Sequence, residues 1–297
     1  MYLAHFGLRA APFGLTPNTE FYFGLPPHEE ALEVLRVALT QGEGFIKVTG
    51  EVGTGKTLLL RKLLGELGAN HQVAYLPNPY LNPDELRQAL ALELGIGVSA
   101  QDLVVTDAIQ RRLIELRQAG RPVILLLDEA QAIPDTTLEA IRLFGNLETE
   151  SSKLLQVVLF GQPELDRRLA EPGLRQLRQR ITFSYRLRPL LLDETRAYLE
   201  YRLQVSGYLG APLFSPRALA RLWRAGRGIP RLINILAHKS LMLAYGRGER
   251  LVRPQHVRIA MTDTDDVIAR YPYGYWLLGG VLALLVLGLW RLSRGML

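Results

Sequence analysis

Apolar and polar positions follow two different patterns along the first two-thirds of the chain. Short apolar runs lie at residues 44–49, 72–76, 123–127 and 154–160. The segments between them repeat apolar residues at a period of about 3.6, which is typical of helices; they cover residues 58–64, 83–94, 106–118 and 136–147. Val123–Leu127 is apolar at every position, as a strand buried on both faces requires. Strands that alternate with helices in this way predict an α/β domain with a parallel sheet between helical layers.

The pattern changes after about Arg188. Helical periodicity covers residues 193–205, 215–225 and 230–245, and a shorter helix is expected from Pro254. Asp193 and Ser215 are residue types that cap helix N-termini, and Pro83, earlier in the chain, fits the first turn of a helix. These later segments contain no convincing strand pattern. The sequence therefore predicts a second, all-helical subdomain after the α/β domain.

The last part of the chain carries one long apolar segment. From Tyr275 to Trp290, 13 of 16 residues are hydrophobic, three are glycine and none is charged. Extended back to Tyr273 the segment forms a helix of about 27 Å, close to the roughly 30 Å of membrane hydrocarbon. Tyrosine and tryptophan stand at its edges, as interfacial aromatic residues do. We expect one transmembrane anchor over residues 273–291; the alternatives are a buried core helix and an apolar hairpin.

Composition and charge narrow the function classes. The 297-residue chain has no cysteine, which excludes disulfide scaffolds, zinc fingers, iron–sulfur clusters and thiol nucleophiles. The net charge of +6 is unevenly distributed: from Arg188 to Arg258 there are 13 basic and 4 acidic residues, a net of +9, and the remainder is −3. The N-terminus lacks a secretory signal pattern. The helical subdomain is therefore the basic part, which suits contact with anionic lipid or with nucleic acid.

Residues 50–57 fit the phosphate-loop pattern G-x-x-x-x-G-K-[ST] and stand between a predicted strand and a predicted helix, the context that the motif requires. Its glycines let backbone N–H groups converge on phosphate oxygens, and the next helix directs its positive end at them. Lys56 is expected to reach the β- and γ-phosphates and Thr57 to bind Mg²⁺; the alternative is a structural glycine turn. The candidate nucleotide-binding residues are Gly50, Glu51, Val52, Gly53, Thr54, Gly55, Lys56 and Thr57.

A pair of carboxylates, Asp128 and Glu129, follows the apolar strand at 123–127. On its own such a pair is most often the N-cap of the next helix. Downstream of a phosphate loop, it predicts a catalytic site in which Asp128 holds Mg²⁺ through water and Glu129 polarises the attacking water as general base. Thr57 and Asp128 are thus the candidate metal residues, and ATP and Mg²⁺ the expected cofactors. Glu129 favours hydrolysis over a simple nucleotide switch.

Two segments beyond this pair resemble those of the AAA+ ATPase superfamily. Gln162 follows the strand at 154–160, where that superfamily keeps its first sensor of the γ-phosphate. Residues 177–181 look like its arginine-finger segment, with Arg180 the better match and Arg178 the second. Taken singly, each has an ordinary alternative, a loop glutamine or a solvated arginine.

Residues 228–234 resemble a third AAA+ segment, the second-sensor motif of the lid, in which Arg231 reaches back to the nucleotide. The three segments follow the phosphate loop in the correct order. The resemblance implies a P-loop AAA+ three-layer core with a parallel sheet, then an all-helical lid and one C-terminal transmembrane helix. The catalytic residues that it implies are Asp128, Glu129, Gln162, Arg180 and Arg231.

A closer resemblance covers nearly the whole chain. Residues 2–8, 12–17, 42–57, 128–131 and 160–165 look like the ExeA/MshM group of inner-membrane ATPases, which are associated with type II secretion and with type IV pili of the mannose-sensitive haemagglutinin (MSHA) type. It implies an ATPase body in the cytoplasm, a single-pass inner-membrane anchor, and ATP hydrolysis that drives or licenses assembly of a pilus or secretion machine. The arginine-finger candidate implies a homo-oligomer, a ring or an arc, in which Arg180 of one protomer completes the site of the next. The chain departs from ExeA after the anchor, where no peptidoglycan-binding domain follows.

Two other functions stay open at this point. A DNA-binding ATPase is one of them, because transposition regulators and origin-recognition proteins have similar AAA+ cores. The basic lid favours this function, since basic residues neutralise the phosphates of DNA. A nucleotide-gated adaptor with little turnover is the third possibility. The predicted boundaries are 1–40 for an N-terminal segment leading into the core, 41–188 for the core, 189–265 for the lid, 266–272 for a linker, 273–291 for the anchor and 292–297 for a short tail.

Overall fold

A five-stranded parallel sheet is the centre of the fold. The structure, a computed structural model, describes residues 1–15, 21–97, 102–148 and 153–267. Within them the strands are β1 (Phe45–Gly50), β2 (Gln72–Leu76), β3 (Val123–Leu127), β4 (Leu155–Gly161) and β5 (Ile181–Leu187), in the order β2-β3-β4-β1-β5. All four pairings are parallel. The carboxyl ends of the strands therefore meet at one edge of the sheet.

Helices surround this sheet and form the second part of the chain. They are α1 (Tyr2–Phe6), α2 (Pro26–Thr40), α3 (Lys56–Leu67), α4 (Pro83–Glu93), α5 (Asp102–Gln118), α6 (Asp135–Phe144), α7 (Pro163–Leu169), α8 (Arg175–Arg180), α9 (Leu192–Val205), α10 (Pro216–Gly226), α11 (Pro230–Gly246) and α12 (Pro254–Thr262). The predicted alternation of strands and helices is confirmed, with ends shifted by a few residues. Pro83 begins α4 as predicted, and the preceding Asn82 caps it together with Glu85.

Two hydrophobic clusters cover the two faces of the sheet. Along β3, Ile124 and Leu126 pack into the cluster formed with α2 and α3. Leu125 and Leu127 pack into the opposite cluster, formed with α4, α5 and α6. This alternation of a fully buried strand confirms the three-layer α/β arrangement and holds the carboxyl edge of the sheet rigid.

The edge strand β5 was not predicted. It pairs with β1, and its residues alternate between half-buried and exposed until Leu187, which is buried. The half-buried positions hold Ile181, Phe183 and Tyr185, separated by polar residues. An edge strand of this kind lacks the continuous apolar run that identified the other four strands. Helix α2 was also missed, because the prediction treated residues 1–40 as a lead-in segment.

One of the two predicted caps in the helical part is confirmed. Ser215 Oγ accepts a hydrogen bond of 3.3 Å from the N–H of Ala218 at the start of α10. The prediction of Asp193 as a cap is wrong, since α9 begins one residue earlier. Glu194 instead accepts a bond of 2.8 Å from the N–H of Leu191. Glu194 is held there by two hydrogen bonds from Arg188, which fix its carboxylate over the helix end.

Helices α9 to α12 form the lid, and the N-terminal segment packs against it instead of against the sheet. Phe6 and Phe13 are buried in the same hydrophobic cluster as the lid helices. Arg202 of α9 donates hydrogen bonds to the carbonyls of Pro12 and Gly14. The segment therefore links the lid to α2, which lies against the sheet.

The expected anchor at residues 273–291 lies outside the described residues. Among the residues that the structure describes, no helix has the length and apolar character needed to span a bilayer.

Candidate active site

The phosphate loop connects β1 to α3 at the carboxyl edge of the sheet. Gly53 and Gly55 have φ values of +83° and +96°, in the left-handed region that side chains rarely adopt. A Cβ at Gly55 would lie 2.9 Å from the imidazole of His28, so the loop closes tightly on its neighbours. Thr54 fastens the turn internally by donating to the carbonyl of Glu51 at 2.8 Å. The loop is thus held in one shape by backbone geometry.

Lys56, the first residue of α3, points back into the loop. Its Nζ donates to the carbonyl of Gly50 at 2.8 Å and to that of Glu51 at 3.1 Å. Burial lowers the pKa of this ammonium, while the carboxylates of Glu129 and Asp128 act in the opposite direction. The ammonium is therefore held by neutral carbonyl groups, which an anion could replace.

Thr57 and Asp128 come together although 71 positions separate them in the chain. The Thr57 hydroxyl donates to Asp128 Oδ2 at 3.0 Å. Burial raises the pKa of Asp128 despite the hydrogen bonds from the N–H of Glu129 and from Thr57. The two side chains place a hydroxyl and a carboxylate oxygen side by side, which is the hard-oxygen donor set that Mg²⁺ prefers.

The described part of the chain holds no group of three or more His, Cys, Asp or Glu side chains that could bind a metal by themselves. A Mg²⁺ ion at Thr57 and Asp128 would take its remaining ligands from phosphate and water, as Mg²⁺ in nucleotide sites commonly does.

Glu129 is held in place by two side-chain amides. It has a positive φ of +50°, one of two such non-glycine residues in the described ranges. Its Oε2 accepts from Gln131 Nε2 at 2.6 Å and from Gln162 Nε2 at 3.0 Å. Gln131 Oε1 also accepts from the N–H of Gln162 at 2.9 Å. Burial on its own would raise the pKa of Glu129, but these amides and the charge of Lys56 lower it.

Sequence reasoning missed the role of Gln131. It quoted the residue only as part of a motif, because nothing local indicates that its side chain joins β3 to the start of α7. The interaction depends on β3 and β4 being neighbours in register.

The lid reaches the loop through Arg231, the second residue of α11. Its backbone N–H donates to the carbonyl of Gly53 at 3.2 Å. A Cβ at Gly53 would lie only 2.5 Å from Arg231 Cβ. The start of α11 therefore lies directly against the loop, and the glycine makes this approach sterically feasible.

These groups line one cavity of about 360 Å³ between the sheet edge, the N-terminal segment and the lid. Its polar lining includes Lys56, Thr57, Glu129, Gln162 and Arg231, together with Arg202 and Asn234. Its apolar and aromatic lining includes Leu15, Phe21, Phe23, Leu25, Tyr198 and Pro230. The cavity therefore offers both anion-binding groups and apolar surface.

The comparisons with known proteins agree with this fold. A family model described as an AAA domain matches residues 39–169. General secretion pathway protein A of Aeromonas hydrophila is 41% identical over 269 residues, which cover 90% of this chain and 49% of that protein. This chain is an AAA-domain relative of general secretion pathway protein A. It spans about half the length of that curated relative.

Solved structures with the fold of this AAA domain include proteins from Pyrobaculum aerophilum and Aeropyrum pernix. Cdc6p of Pyrobaculum aerophilum has a TM-score of 0.63 at 21% identity, over 84% of this chain and 69% of that one. The ORC2 protein of Aeropyrum pernix, solved as ADPNP–ADP complexes, has a TM-score of 0.56 at 19% identity, over 83% and 72%. At these identities the likeness shows the fold alone. It confirms the predicted P-loop AAA α/β architecture.

His28 is a second residue of this AAA-domain site that sequence reasoning missed. It lies on α2, is buried, and its Nε2 donates to the carbonyl of Thr54 at 2.8 Å. Burial lowers the pKa of the imidazole, which favours the neutral form. His28 Nδ1 has no hydrogen-bond partner among the described residues. An isolated histidine in a helix carries no sequence signal, so only the packing of α2 on the AAA core reveals this contact.

Arg180 lies far from the phosphate loop of its own AAA domain. It ends α8, and the next residue, Ile181, pairs with Phe45 at the amino end of β1. The loop follows the carboxyl end of β1, about 17 Å away along the strand at about 3.3 Å per residue. Neither Arg180 nor the exposed Arg178 lines the cavity.

Proposed function

We propose that this chain is a membrane-anchored ATPase that drives or licenses assembly of a secretion machine or a type IV pilus. One observation carries the ATPase part: Glu129, oriented by Gln131 and Gln162, lies at the same cavity edge as the Thr57–Asp128 pair. A protein that only bound nucleotide would not need an oriented carboxylate at this position. The secretion part follows from the identity with general secretion pathway protein A.

The chemistry of the cavity lining suits ATP. Lys56, the backbone N–H groups of the loop and Arg231 are available for the phosphates. The aromatic and apolar residues of the lining suit a purine base. The Thr54–Lys56 turn carries no side chain at Gly55, where a Cβ would meet His28 at 2.9 Å. Mg²⁺ held by Thr57 and Asp128 would neutralise phosphate charge during the reaction.

The residues of this chain then divide the work of hydrolysis. Glu129, with its pKa lowered, is ionised at neutral pH and orients a water molecule and accepts its proton. Gln162, fixed at the start of α7, links Glu129 to the γ-phosphate position. Lys56 exchanges its carbonyl partners for phosphate oxygens when the nucleotide binds. Arg231 couples that event to the lid, because its backbone already contacts Gly53.

Arg180 is proposed to act on a neighbouring protomer. Its position at the amino end of β5 keeps it from its own loop, so a role in phosphoryl transfer requires a second copy of the chain. A trans-supplied arginine of this kind stabilises developing charge. The proposal therefore includes homo-oligomers, rings or arcs, promoted by nucleotide.

The membrane part rests on the sequence of residues 273–291, which is long and apolar enough for one span. The part of the body from Arg188 to Arg258 carries 13 basic and 4 acidic residues, so the AAA domain is proposed to face the cytoplasm. Its partners are proposed to be inner-membrane proteins of the secretion or pilus machine.

Phosphate release by the full chain in detergent tests the enzyme. Lys56→Ala should lose nucleotide binding, whereas Glu129→Gln should bind ATP with near-normal affinity and hydrolyse it at least about 100-fold more slowly. Glu93→Gln, a matched change at an exposed residue of α4, should behave as wild type. Equal rates in all four proteins would refute the ATPase. Arg180→Ala should lose activity only where the wild-type rate rises with protein concentration.

A further inference from the structure

Helix α10 of the lid presents a row of arginines that the proposed ATP chemistry does not use. Arg217, Arg221 and Arg224 stand at positions i, i+4 and i+7, on one face of the helix, and Arg227 follows at its C-terminus. All four are exposed. The opposite face is buried and apolar, so the helix is sharply divided. We call these four residues the α10 arginine row.

Within the described residues the α10 arginine row has no acidic partner, whereas several arginines of the α/β domain do. Arg36, Arg87, Arg112, Arg142 and Arg167 each pair with a carboxylate three residues away. Within the described ranges, no ion pair within 4.0 Å joins any member of the row to a carboxylate, and α10 has no acidic residue in its first turn. The row is therefore a concentration of positive charge without acidic compensation.

The dipole of α10 favours only Arg224 and Arg227, at its C-terminal end, and the spacing of the row weakens the helix. Like charges at i,i+4 and i,i+3 repel on a helix surface, which applies to Arg217 with Arg221 and to Arg221 with Arg224. Arg217 also lies in the first turn, where the positive end of the helix dipole disfavours a cation. An external anion bound to the row would compensate this repulsion between its positive charges.

The row continues onto the helix that leads to the C-terminal segment. Arg221 Nη1 donates to the carbonyl of Pro254 at 3.1 Å, at the start of α12. Arg258, exposed on α12, lies one turn beyond Pro254 on the same face. After α12 and Val267, six residues reach Tyr273, a span of at most about 20 Å. The chain therefore brings the apolar segment close to this basic surface.

We infer that the α10 arginine row is a docking surface for anionic phospholipid, which holds the lid against the membrane. This inference rests on the proposed anchor and goes beyond it, since the anchor alone leaves the lid free to rotate. Guanidinium groups pair with phosphodiester oxygens, and each basic residue near an anionic surface strengthens attraction about fivefold. Loss of all four is expected to weaken lid docking by well over tenfold.

The test uses the full chain in vesicles, and the absence of cysteine makes labelling simple. Gln255→Cys, exposed on α12 beside Pro254, receives a donor fluorophore, and the vesicles contain a headgroup-labelled acceptor lipid. Energy transfer should rise when phosphatidylglycerol replaces about a third of the phosphatidylcholine at about 0.1 M salt. It should return to the starting value at about 1 M salt, where the Debye length falls from about 10 Å to about 3 Å.

Three variants in this labelled background decide the result. Replacing the row by four glutamines should abolish the rise, and replacing it by four lysines should keep most of it. A matched control with glutamine at Arg36, Arg111, Arg121 and Arg167 has the same net charge as the first variant and should respond as wild type. Equal ATP hydrolysis in all four proteins shows that the fold is intact.

Several outcomes would overturn the inference. Energy transfer that does not change when phosphatidylglycerol is added would overturn it. So would an increase in energy transfer that persists in the four-glutamine variant. Salt-sensitive binding of a labelled DNA duplex that requires the row, without a lipid response, would assign the surface to nucleic acid. A chain that washes off neutral vesicles would refute the proposed anchor instead of the role of the row. In that case, salt-reversible capture of the chain by phosphatidylglycerol vesicles would support the role of the row. An absence of capture by these vesicles would overturn that role.

Discussion

Replacing Gly53 by alanine tests whether backbone contact holds the lid against the phosphate loop. The new Cβ would lie 2.5 Å from Arg231 Cβ and 3.1 Å from its Cδ, whereas ordinary contact begins at 3.4 Å. The start of α11 must therefore withdraw by about 1 Å, which is a typical response to overpacking. That shift also breaks the 3.2 Å hydrogen bond from the Arg231 N–H to the Gly53 carbonyl.

The expected cost has separable parts. The left-handed φ of +83° costs a non-glycine residue about 1–2 kcal/mol. The overlap adds about 1–3 kcal/mol, and the lost hydrogen bond about 1 kcal/mol. We expect the free energy of unfolding to fall by about 3–6 kcal/mol. Nucleotide affinity should fall too, because Arg231 lines the cavity.

Two glycines in the same chain serve as controls in urea unfolding. Gly42 has a φ of +77° with nothing within 4 Å of a built Cβ, so Gly42→Ala should show only the backbone cost. Gly65, in α3, has free space around it and no positive φ, so Gly65→Ala should be neutral or stabilising by up to about 1 kcal/mol. Arg231→Gly should rescue part of the Gly53→Ala loss. If Gly53→Ala costs no more than Gly42→Ala and is not coupled to Arg231, the argument is refuted.

Three further predictions concern side chains around the site. Gln131→Ala removes a hydrogen bond from a side-chain amide to the Glu129 carboxylate, which is worth about 1.5–3 kcal/mol. We therefore expect kcat to fall about 10- to 100-fold, while ATP affinity, measured by calorimetry, stays near normal. The exposed control Gln110→Ala should change neither quantity, and an unchanged kcat in Gln131→Ala would contradict the role of Gln131. Asn82→Ala removes the cap of α4, with its two 2.9 Å bonds, and should lower the free energy of unfolding by about 1 kcal/mol in urea titrations; no loss would show that water replaces the cap. His28 has a lowered pKa in the folded state, so its contribution to the free energy of unfolding is complete above pH of about 6.5 and is lost as the pH falls toward that lowered pKa. The variant His28→Asn should therefore lose less stability on acidification. An identical dependence of the free energy of unfolding on pH in the two proteins would contradict this role of His28.

Several features of the site follow from local sequence. The phosphate loop is a strand, a glycine turn and a helix in one continuous stretch, so residues 50–57 identify it without knowledge of the rest of the fold. Asp128 and Glu129 come directly after the most apolar strand, whose ends are visible in the sequence. The lid helices are long and strongly periodic, and their basic excess is a matter of counting.

Other features depend on which strands become neighbours. Because β4 lies between β3 and β1, Gln162 at its end reaches Glu129, and Gln131 joins the two. The edge strand β5 escaped prediction because a half-buried strand alternates polar with apolar residues. His28 carries no signal until α2 packs over the loop, which brings a residue 26 positions away to within 2.8 Å of Thr54.

Local stretches of sequence therefore predict the phosphate loop and the carboxylate pair at the sheet edge, and residue counts predict the basic helical subdomain. How these parts meet depends on the folded arrangement of the chain. It brought Thr57 to Asp128, Arg231 to Gly53, and the N-terminal segment to the lid. The physical reason is that hydrophobic periodicity specifies local elements and their buried faces, whereas contacts between elements arise from strand order, register and close packing, which no single segment contains.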